Sequence, residues 1–113
     1  MRKLDLGFTD NIIYKEGERF LELSSTIIKI LPLNDSVVVL LQFLSDAEDR
    51  NIFCYDFNGA FKWQVSAPDK ILDRNYFTGI YLTDDSLCAY SYSGVEYVLD
   101  KESGHFLSSR LIK

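Results

Sequence analysis

Residues that build reactive and metal-binding sites are scarce in this 113-residue chain, which has one histidine and two cysteines. Cys54 and Cys88 lie 34 positions apart and form no Cys-x-x-Cys pair, so the sequence has neither a zinc motif nor a disulfide framework. We expect both to be buried free thiols. His105 follows a turn glycine without a partnering carboxylate or thiol motif, which is typical of a solvated histidine. The sequence therefore predicts no metal and no cofactor.

Positive charge and long apolar runs are also in short supply. The 12 Lys and Arg are outnumbered by 17 Asp and Glu, which gives a net charge of -5. Because phosphate backbones select basic proteins, nucleic acid is not an expected partner. The longest apolar run, Val37 to Leu41, is far shorter than the roughly 20 residues of a membrane helix, and the N-terminus has no apolar run typical of a secretory signal. We expect a soluble, cytoplasmic protein that does not bind membranes.

Catalytic motifs are missing as well. The serine pairs Ser24-Ser25 and Ser108-Ser109 lack a Gly-x-Ser-x-Gly elbow and a histidine base, and no glycine-rich phosphate loop occurs. The acidic pair Asp84-Asp85 and the acidic segment at 46–49 lack the glycine and terminal glutamate of a calcium loop. We therefore expect a protein that is not an enzyme.

What the chain does contain is the composition of one globular domain over residues 1–113, with 47% hydrophobic and 26% charged residues. Short β-type runs alternate with turn residues, and no apolar stretch keeps helical spacing for three turns. Only Pro68–Arg74 has some helical character. The pattern predicts an all-β antiparallel meander of about ten short strands: Asn11–Tyr14, Arg19–Leu23, Thr26–Leu31, Val37–Leu44, Asn51–Phe57, Phe61–Ser66, Phe77–Leu82, Leu87–Tyr92, Val95–Asp100 and Phe106–Leu111.

The two halves of the chain repeat. The segment 33–37 recurs at 82–87, and 51–61 recurs at 95–106, while the loop Ser45–Arg50 of the first copy has no counterpart in the second. We interpret that loop as an insertion. The repeat predicts units over about residues 26–66 and 77–112, preceded by a hairpin over 11–23 that is the second half of a further unit.

The segment Tyr97-Val98-Leu99-Asp100-Lys101-Glu102-Ser103-Gly104 resembles the blade repeat of quinoprotein-dehydrogenase-like β-propellers, which have a Tyr-x-Leu-Asp-x-x-x-Gly pattern. In those families the Asp and Gly shape a turn, and a Trp a few residues later docks between blades. Trp63, four residues after Gly59, matches that place in the first copy, whereas the second copy has Ser108. The first-copy turn, from Asp56 to Gly59, is one residue shorter than the family pattern.

This resemblance implies matching positions for Asp56 and Asp100, each followed by a turn glycine, and burial of Trp63 between sheets. A closed propeller needs about four to eight blades, so we expect either an open, partial propeller-like array or the same meander curled into a β-sandwich or barrel. The quinone of the enzyme relatives binds on the axis of a full ring, and the resemblance therefore implies neither that cofactor nor dehydrogenase activity.

Candidate binding residues fall into two groups. The inserted loop supplies Asp46, Glu48 and Asp49, and we expect Asp69 and Asp73 at the same edge, because alternate connections of an antiparallel meander share one edge. Tyr90 and Tyr92 alternate with Ser86 and Cys88 on one strand face, and tyrosine is a frequent interface anchor. We predict that these acidic and tyrosine residues contact a partner protein.

In profile, a small acidic domain without catalytic residues resembles the immunity proteins that bacteria make against their own toxins. Many such toxins are basic nucleases, and an acidic surface favours association with them. The hypothesis is a non-enzymatic immunity protein that neutralises a basic, nuclease-type toxin domain by covering its active site. The alternatives are a structural or scaffold module that assembles through sheet edges and a small-ligand-binding domain.

Overall fold

Turn residues divide the described part of the chain into eleven antiparallel strands, which follow one another in three sheets. This computed structural model describes residues 5–42, 49–67 and 76–111, which contain no helix and hence none that could span a membrane. None of the three sheets is closed, and all strand pairs are sequential and antiparallel, which confirms the predicted all-β meander. The strands are β1 (Leu6–Thr9), β2 (Ile12–Lys15) and β3 (Glu18–Glu22) in the first sheet; β4 (Ile27–Pro32), β5 (Ser36–Leu41), β6 (Ile52–Asp56) and β7 (Phe61–Gln64) in the second; and β8 (Phe77–Thr83), β9 (Ser86–Ser91), β10 (Val95–Leu99) and β11 (Phe106–Leu111) in the third.

The described residues form eleven strands where about ten were predicted, and the additional strand is β1. This strand pairs with β2 along its whole length, from Leu6 opposite Lys15 to Thr9 opposite Ile12. Gly7 weakens its strand signal, so its formation depends on pairing rather than on local propensity. The strand predicted over Val37–Leu44 ends at Leu41. Of the predicted insertion Ser45–Arg50, only Asp49 and Arg50 are among the described residues, and the segment Pro68–Arg74 lies wholly outside them.

The second sheet lies between the other two, and its strand β5 is buried on both faces. Val37 and Val39 pack in a cluster with the first sheet, whereas Val38 and Leu40 pack in a cluster with the third. A strand covered on both faces needs apolar residues at consecutive rather than alternate positions. That requirement explains the apolar run that begins at Val37.

The turns after β6 and β10 are built alike. Asp56 and Asp100 each accept a hydrogen bond from the backbone N–H two residues further on, at 2.8 and 3.0 Å. Gly59 and Gly104 then adopt positive φ values of 90° and 75°, and each donates its N–H to the carbonyl of the aspartate in its own turn. The predicted matching positions of the two aspartates, each with its glycine, are confirmed.

The three sheets do not pair with one another through backbone strand hydrogen bonds, and side-chain hydrogen bonds connect neighbouring sheets instead. At the junction of the second and third sheets, Asn51 bonds to both the N–H and the carbonyl of Phe77, each at 2.9 Å. Trp63 Nε1 donates to the carbonyl of Lys101 at 2.8 Å. Trp63 is only 4% exposed, so its predicted burial between sheets is confirmed. Between the first and second sheets, Lys15 Nζ donates to the carbonyl of Phe57.

The turn between β8 and β9 yields a stability prediction. Asp84 and Asp85 both have positive φ, 51° and 67°, and they place two carboxylates side by side in a two-residue turn. Asn-Gly is the preferred pair in such turns, because asparagine and glycine tolerate this conformation best. The double variant Asp84→Asn/Asp85→Gly is expected to raise the free energy of unfolding by about 1 kcal/mol, measured by urea denaturation. An unchanged or lower stability would contradict this account of the turn.

Candidate partner-binding surfaces

The acidic edge predicted from the sequence lies mostly beyond the described residues. Asp46, Glu48, Asp69 and Asp73 are all outside them. Asp49 is described, and it is only 8% exposed. Its carboxylate is therefore not part of an exposed acidic surface, in contrast to the expectation for a loop residue.

The residue after Asp49 is held beside β7. Arg50 Nε donates to the carbonyl of Val65 at 2.7 Å, and Gln64 Nε2 donates to the carbonyl of Arg50 at 2.8 Å. These two hydrogen bonds fix the segment that enters β6 against the end of β7. The sequence assigned Asp49 to a solvated loop because it sits in an acidic run, but the residue is buried and lies shortly before β6.

The two predicted tyrosines are both described and lie at the third sheet. Tyr90 is half-buried, and its cross-strand neighbours are Gly79 and Glu96. Tyr92 is 55% exposed, and its ring stacks on that of Tyr76 with a centroid distance of 5.3 Å. The pair therefore presents one partly covered and one accessible aromatic ring.

Tyr90 belongs to a face that neither of the other two described sheets covers. Strand register places Tyr81, Cys88, Val98 and Ser108 in one row across the third sheet, and Gly79, Tyr90, Glu96 and Arg110 in the next. These eight residues define the outer face of the third sheet. Arg110 Nε and Glu96 Oε1 form an ion pair across it at 2.8 Å.

A larger group of described carboxylates lies at the opposite end of the sheets from the predicted edge. In a meander, alternate turns fall at one end, and here these are the turns 33–35, 57–60, 84–85 and 100–105, which we name the hairpin end. Asp56 and Asp100 are used within their turns. The remaining described acids of the hairpin end are exposed: Asp35, Asp84, Asp85 and Glu102.

A groove of about 380 Å³ opens between the second and third sheets at the hairpin end. It combines three exposed acids with apolar side chains and one lysine. Beside it, Lys62 Nζ lies 3.8 Å from Asp35 and 3.5 Å from Glu102. Exposed ion pairs at these distances contribute little to stability and leave both carboxylates accessible. The groove is lined by Pro32, Leu33, Asn34, Asp35, Leu82, Asp85, Lys101 and Glu102.

The two cysteines are buried and form no disulfide, as the sequence predicted. Burial raises the pKa of the Cys54 thiol above its ordinary value, and it raises the pKa of the Cys88 thiol as well. Because the thiolate is the reactive form, these thiols are poor nucleophiles. His105 is exposed next to the turn glycine. Among residues 5–42, 49–67 and 76–111, no three His, Cys, Asp or Glu side chains are grouped to hold a metal ion.

Sequence reasoning missed the hairpin end because its acids are scattered along the chain as turn residues. Asp84 and Asp85 were considered as a calcium-binding pair, which they do not match, and neither Asp35 nor Glu102 was proposed as a binding residue. The usable signal was the alternation of turns: in a meander, the first, third and later odd-numbered turns of a sheet converge at one end. Adding up the acidic residues of all turns that meet at one end, rather than looking for runs of acids along the sequence, would have found these residues.

Comparison with known proteins places the chain in a family without assigning an activity. It belongs to a domain family of unknown function, DUF7957, whose model matches residues 4–111. No curated protein matches it. Its fold resembles that of the computationally designed Ika8 protein, with a TM-score of 0.60 and 13% sequence identity. The match covers 93% of this chain and 35% of the designed chain, so this chain spans about a third of that protein's length.

Proposed function

We propose that this member of a family of unknown function is a non-enzymatic protein-binding module that recognises a basic protein. The observation that carries the proposal is the hairpin end, where exposed carboxylates surround a groove with apolar lining. Asp35 and Glu102 have side chains that are 70% and 75% exposed, and both stand beside that groove. Apolar contact combined with negative charge suits a partner that presents arginine or lysine side chains.

The net charge of -5 supports the same choice of partner. An acidic surface steers a basic protein toward it and raises the association rate, and salt weakens this effect. Tyr92 and Tyr90 add aromatic area at a second surface. The partner that we propose is a basic, nuclease-type toxin domain, which the chain neutralises as an immunity protein by covering its active site.

The first experiment tests the toxin. The gene for a toxin domain of this class is expected beside the gene for this chain, and co-expression of the chain is expected to restore growth of cells that produce that domain. If the domain at this locus is not basic, or if the chain gives no protection and no complex forms at a one-to-one ratio, the immunity proposal is wrong.

Neutralising the hairpin end tests the surface. In the variant Asp35→Asn/Asp85→Asn/Glu102→Gln, the net charge changes from -5 to -2. We expect association with the basic partner to slow by about 10-fold at low salt, with little change in the dissociation rate, because long-range attraction acts mainly on encounter. Stopped-flow measurements at two salt concentrations would show this, and the variant is expected to depend less on ionic strength.

The matched control, Asp10→Asn/Glu22→Gln/Glu96→Gln, carries the same net charge but changes acids away from the hairpin end. Asp10 and Glu22 are exposed, and the Glu96 side chain is 12% exposed. It is expected to associate at nearly the wild-type rate. Equal slowing by both variants would mean that total charge matters and the hairpin end does not. No slowing by either would remove electrostatic steering from the proposal.

A further inference from the structure

The third sheet repeats the second strand for strand. The face of the second sheet that packs against the third can therefore be compared, residue by residue, with the outer face of the third sheet. In the second sheet, Val38 pairs with Cys54, which pairs with Trp63. In the third sheet, Cys88 pairs with Val98, which pairs with Ser108. The first of these rows is covered by a neighbouring sheet. The second belongs to the outer face of the third sheet.

The tryptophan that docks between sheets is lost on that outer face. Trp63 is buried against the third sheet and donates to the carbonyl of Lys101. Its equivalent, Ser108, is exposed. A serine offers neither the apolar area nor the reach that joined the second sheet to the third.

The adjacent row exchanges apolar residues for an ion pair. Ile52 and Val65 are fully buried in the cluster between the second and third sheets. At the equivalent positions stand Glu96 and Arg110, which bond to each other at 2.8 Å. The Arg110 side chain is 73% exposed, whereas that of Glu96 is 12% exposed. Covering the pair with another sheet would remove the Arg110 guanidinium from water, and the desolvation of a buried ion pair commonly exceeds the attraction between its charges.

The third sheet also lacks an equivalent of Asn51, the second-sheet side chain that bonds to the first strand of the next sheet. Asn51 precedes Ile52 and holds the N–H and carbonyl of Phe77. The residue before Glu96 is Val95, which has no side-chain amide. Three separate means of attaching a further sheet are therefore replaced at equivalent places in the third sheet.

The first sheet also differs from the second on the face that a preceding sheet would cover. In the second sheet, that face includes Val37 and Val39, which are fully buried. In the first sheet, it includes the exposed Gly7 and Thr9, which pair with the half-buried Tyr14 and Ile12. A second copy approaching head to tail would thus meet a face without the buried valines of the second sheet.

We propose that the outer face of the third sheet is a cap, which prevents a further sheet of a second copy from stacking on it. Arrays of stacked repeats need polar end faces to remain soluble and finite, because each internal repeat is apolar on both sides. Here Ser108 and the Glu96–Arg110 pair supply that polarity. The chain is consequently monomeric with respect to this face, and its hairpin end remains unobstructed.

Restoring the residues of the second sheet tests the cap. The variant Glu96→Ile/Ser108→Trp/Arg110→Val is expected to self-associate, with a dissociation constant at least about 100-fold lower than that of the wild type. Sedimentation velocity over a concentration series measures this, and circular dichroism checks the fold. If the triple variant does not fold, the double variant Glu96→Ile/Arg110→Val takes its place, with a smaller shift in the same direction.

The matched control is Glu96→Gln/Arg110→Gln, which loses the ion pair without gaining apolar area and is expected to stay monomeric. The proposal is overturned if a folded, apolar variant remains as monomeric as the wild type. It is also overturned if the wild type self-associates and the glutamine control abolishes that association, because the face would then be an interface between copies.

Discussion

Replacing Trp63 with alanine is expected to lower the free energy of unfolding by about 3–5 kcal/mol, the usual cost of truncating a large buried aromatic residue. The ring is 4% exposed and joins the second sheet to the third. Its indole packs so closely on Gly104 that a Cβ atom there would overlap the ring. The indole N–H also bonds to the carbonyl of Lys101 at 2.8 Å.

Chemical denaturation of a matched set separates these contributions. Trp63→Phe retains an aromatic ring but loses the hydrogen bond, and we expect it to cost less than the alanine variant. Phe61→Ala is the control, because Phe61 lies two residues away on the same strand and is 60% exposed. Its loss is expected to cost about 1 kcal/mol or less. If Phe61→Ala and Trp63→Ala lowered the free energy of unfolding by similar amounts, the location of Trp63 between the sheets would not account for its contribution to stability.

Local sequence signals predicted the parts of the fold that local interactions form. The Asp and Gly of each long turn were recognisable because the aspartate carboxylate bonds to its own turn and the glycine adopts positive φ. Trp63 was recognisable by its fixed distance from Gly59. The strand β1 was not, because Gly7 gives no strand signal and the strand forms only by pairing with β2.

The candidate surfaces were harder to predict, because they depend on which turns and rows meet in space. Asp49 stands in an acidic run, yet contacts of the neighbouring Arg50 with β7 accompany its burial. Glu96 and Arg110 are fourteen residues apart in the sequence, and nothing in the sequence pattern distinguishes them from ordinary exposed charged residues. Only the strand register shows that they occupy the places of Ile52 and Val65. Strand alternation correctly placed Tyr90 beside Cys88 on one face of β9, whereas Tyr92 lies just beyond the end of that strand.

Asn51 is the second residue whose loss is expected to have a large effect. Its amide donates to the carbonyls of Leu41 and Phe77 and accepts from the Phe77 N–H, each at 2.9 Å, and the residue is 3% exposed. Leucine has a similar size but would leave these backbone groups without partners, and each unsatisfied buried group costs about 1–3 kcal/mol. We expect Asn51→Leu to lower the free energy of unfolding by about 3–4 kcal/mol, less than the full sum because the backbone can relax.

Asn11 provides the internal comparison for that prediction. It precedes β2 as Asn51 precedes β6, but its side chain is only partly buried, and its Nδ2 donates a hydrogen bond to the carbonyl of Leu23 at 3.0 Å. Asn11→Leu is therefore expected to cost about 1 kcal/mol. Hydrogen exchange adds a local test, because the Phe77 amide should lose protection in Asn51→Leu while amides of the first sheet keep theirs under native conditions. If the Phe77 amide stays protected, or if the two asparagines prove equally important, the bonds of Asn51 do not hold the third sheet to the second, and the cluster around Trp63 must do so without them.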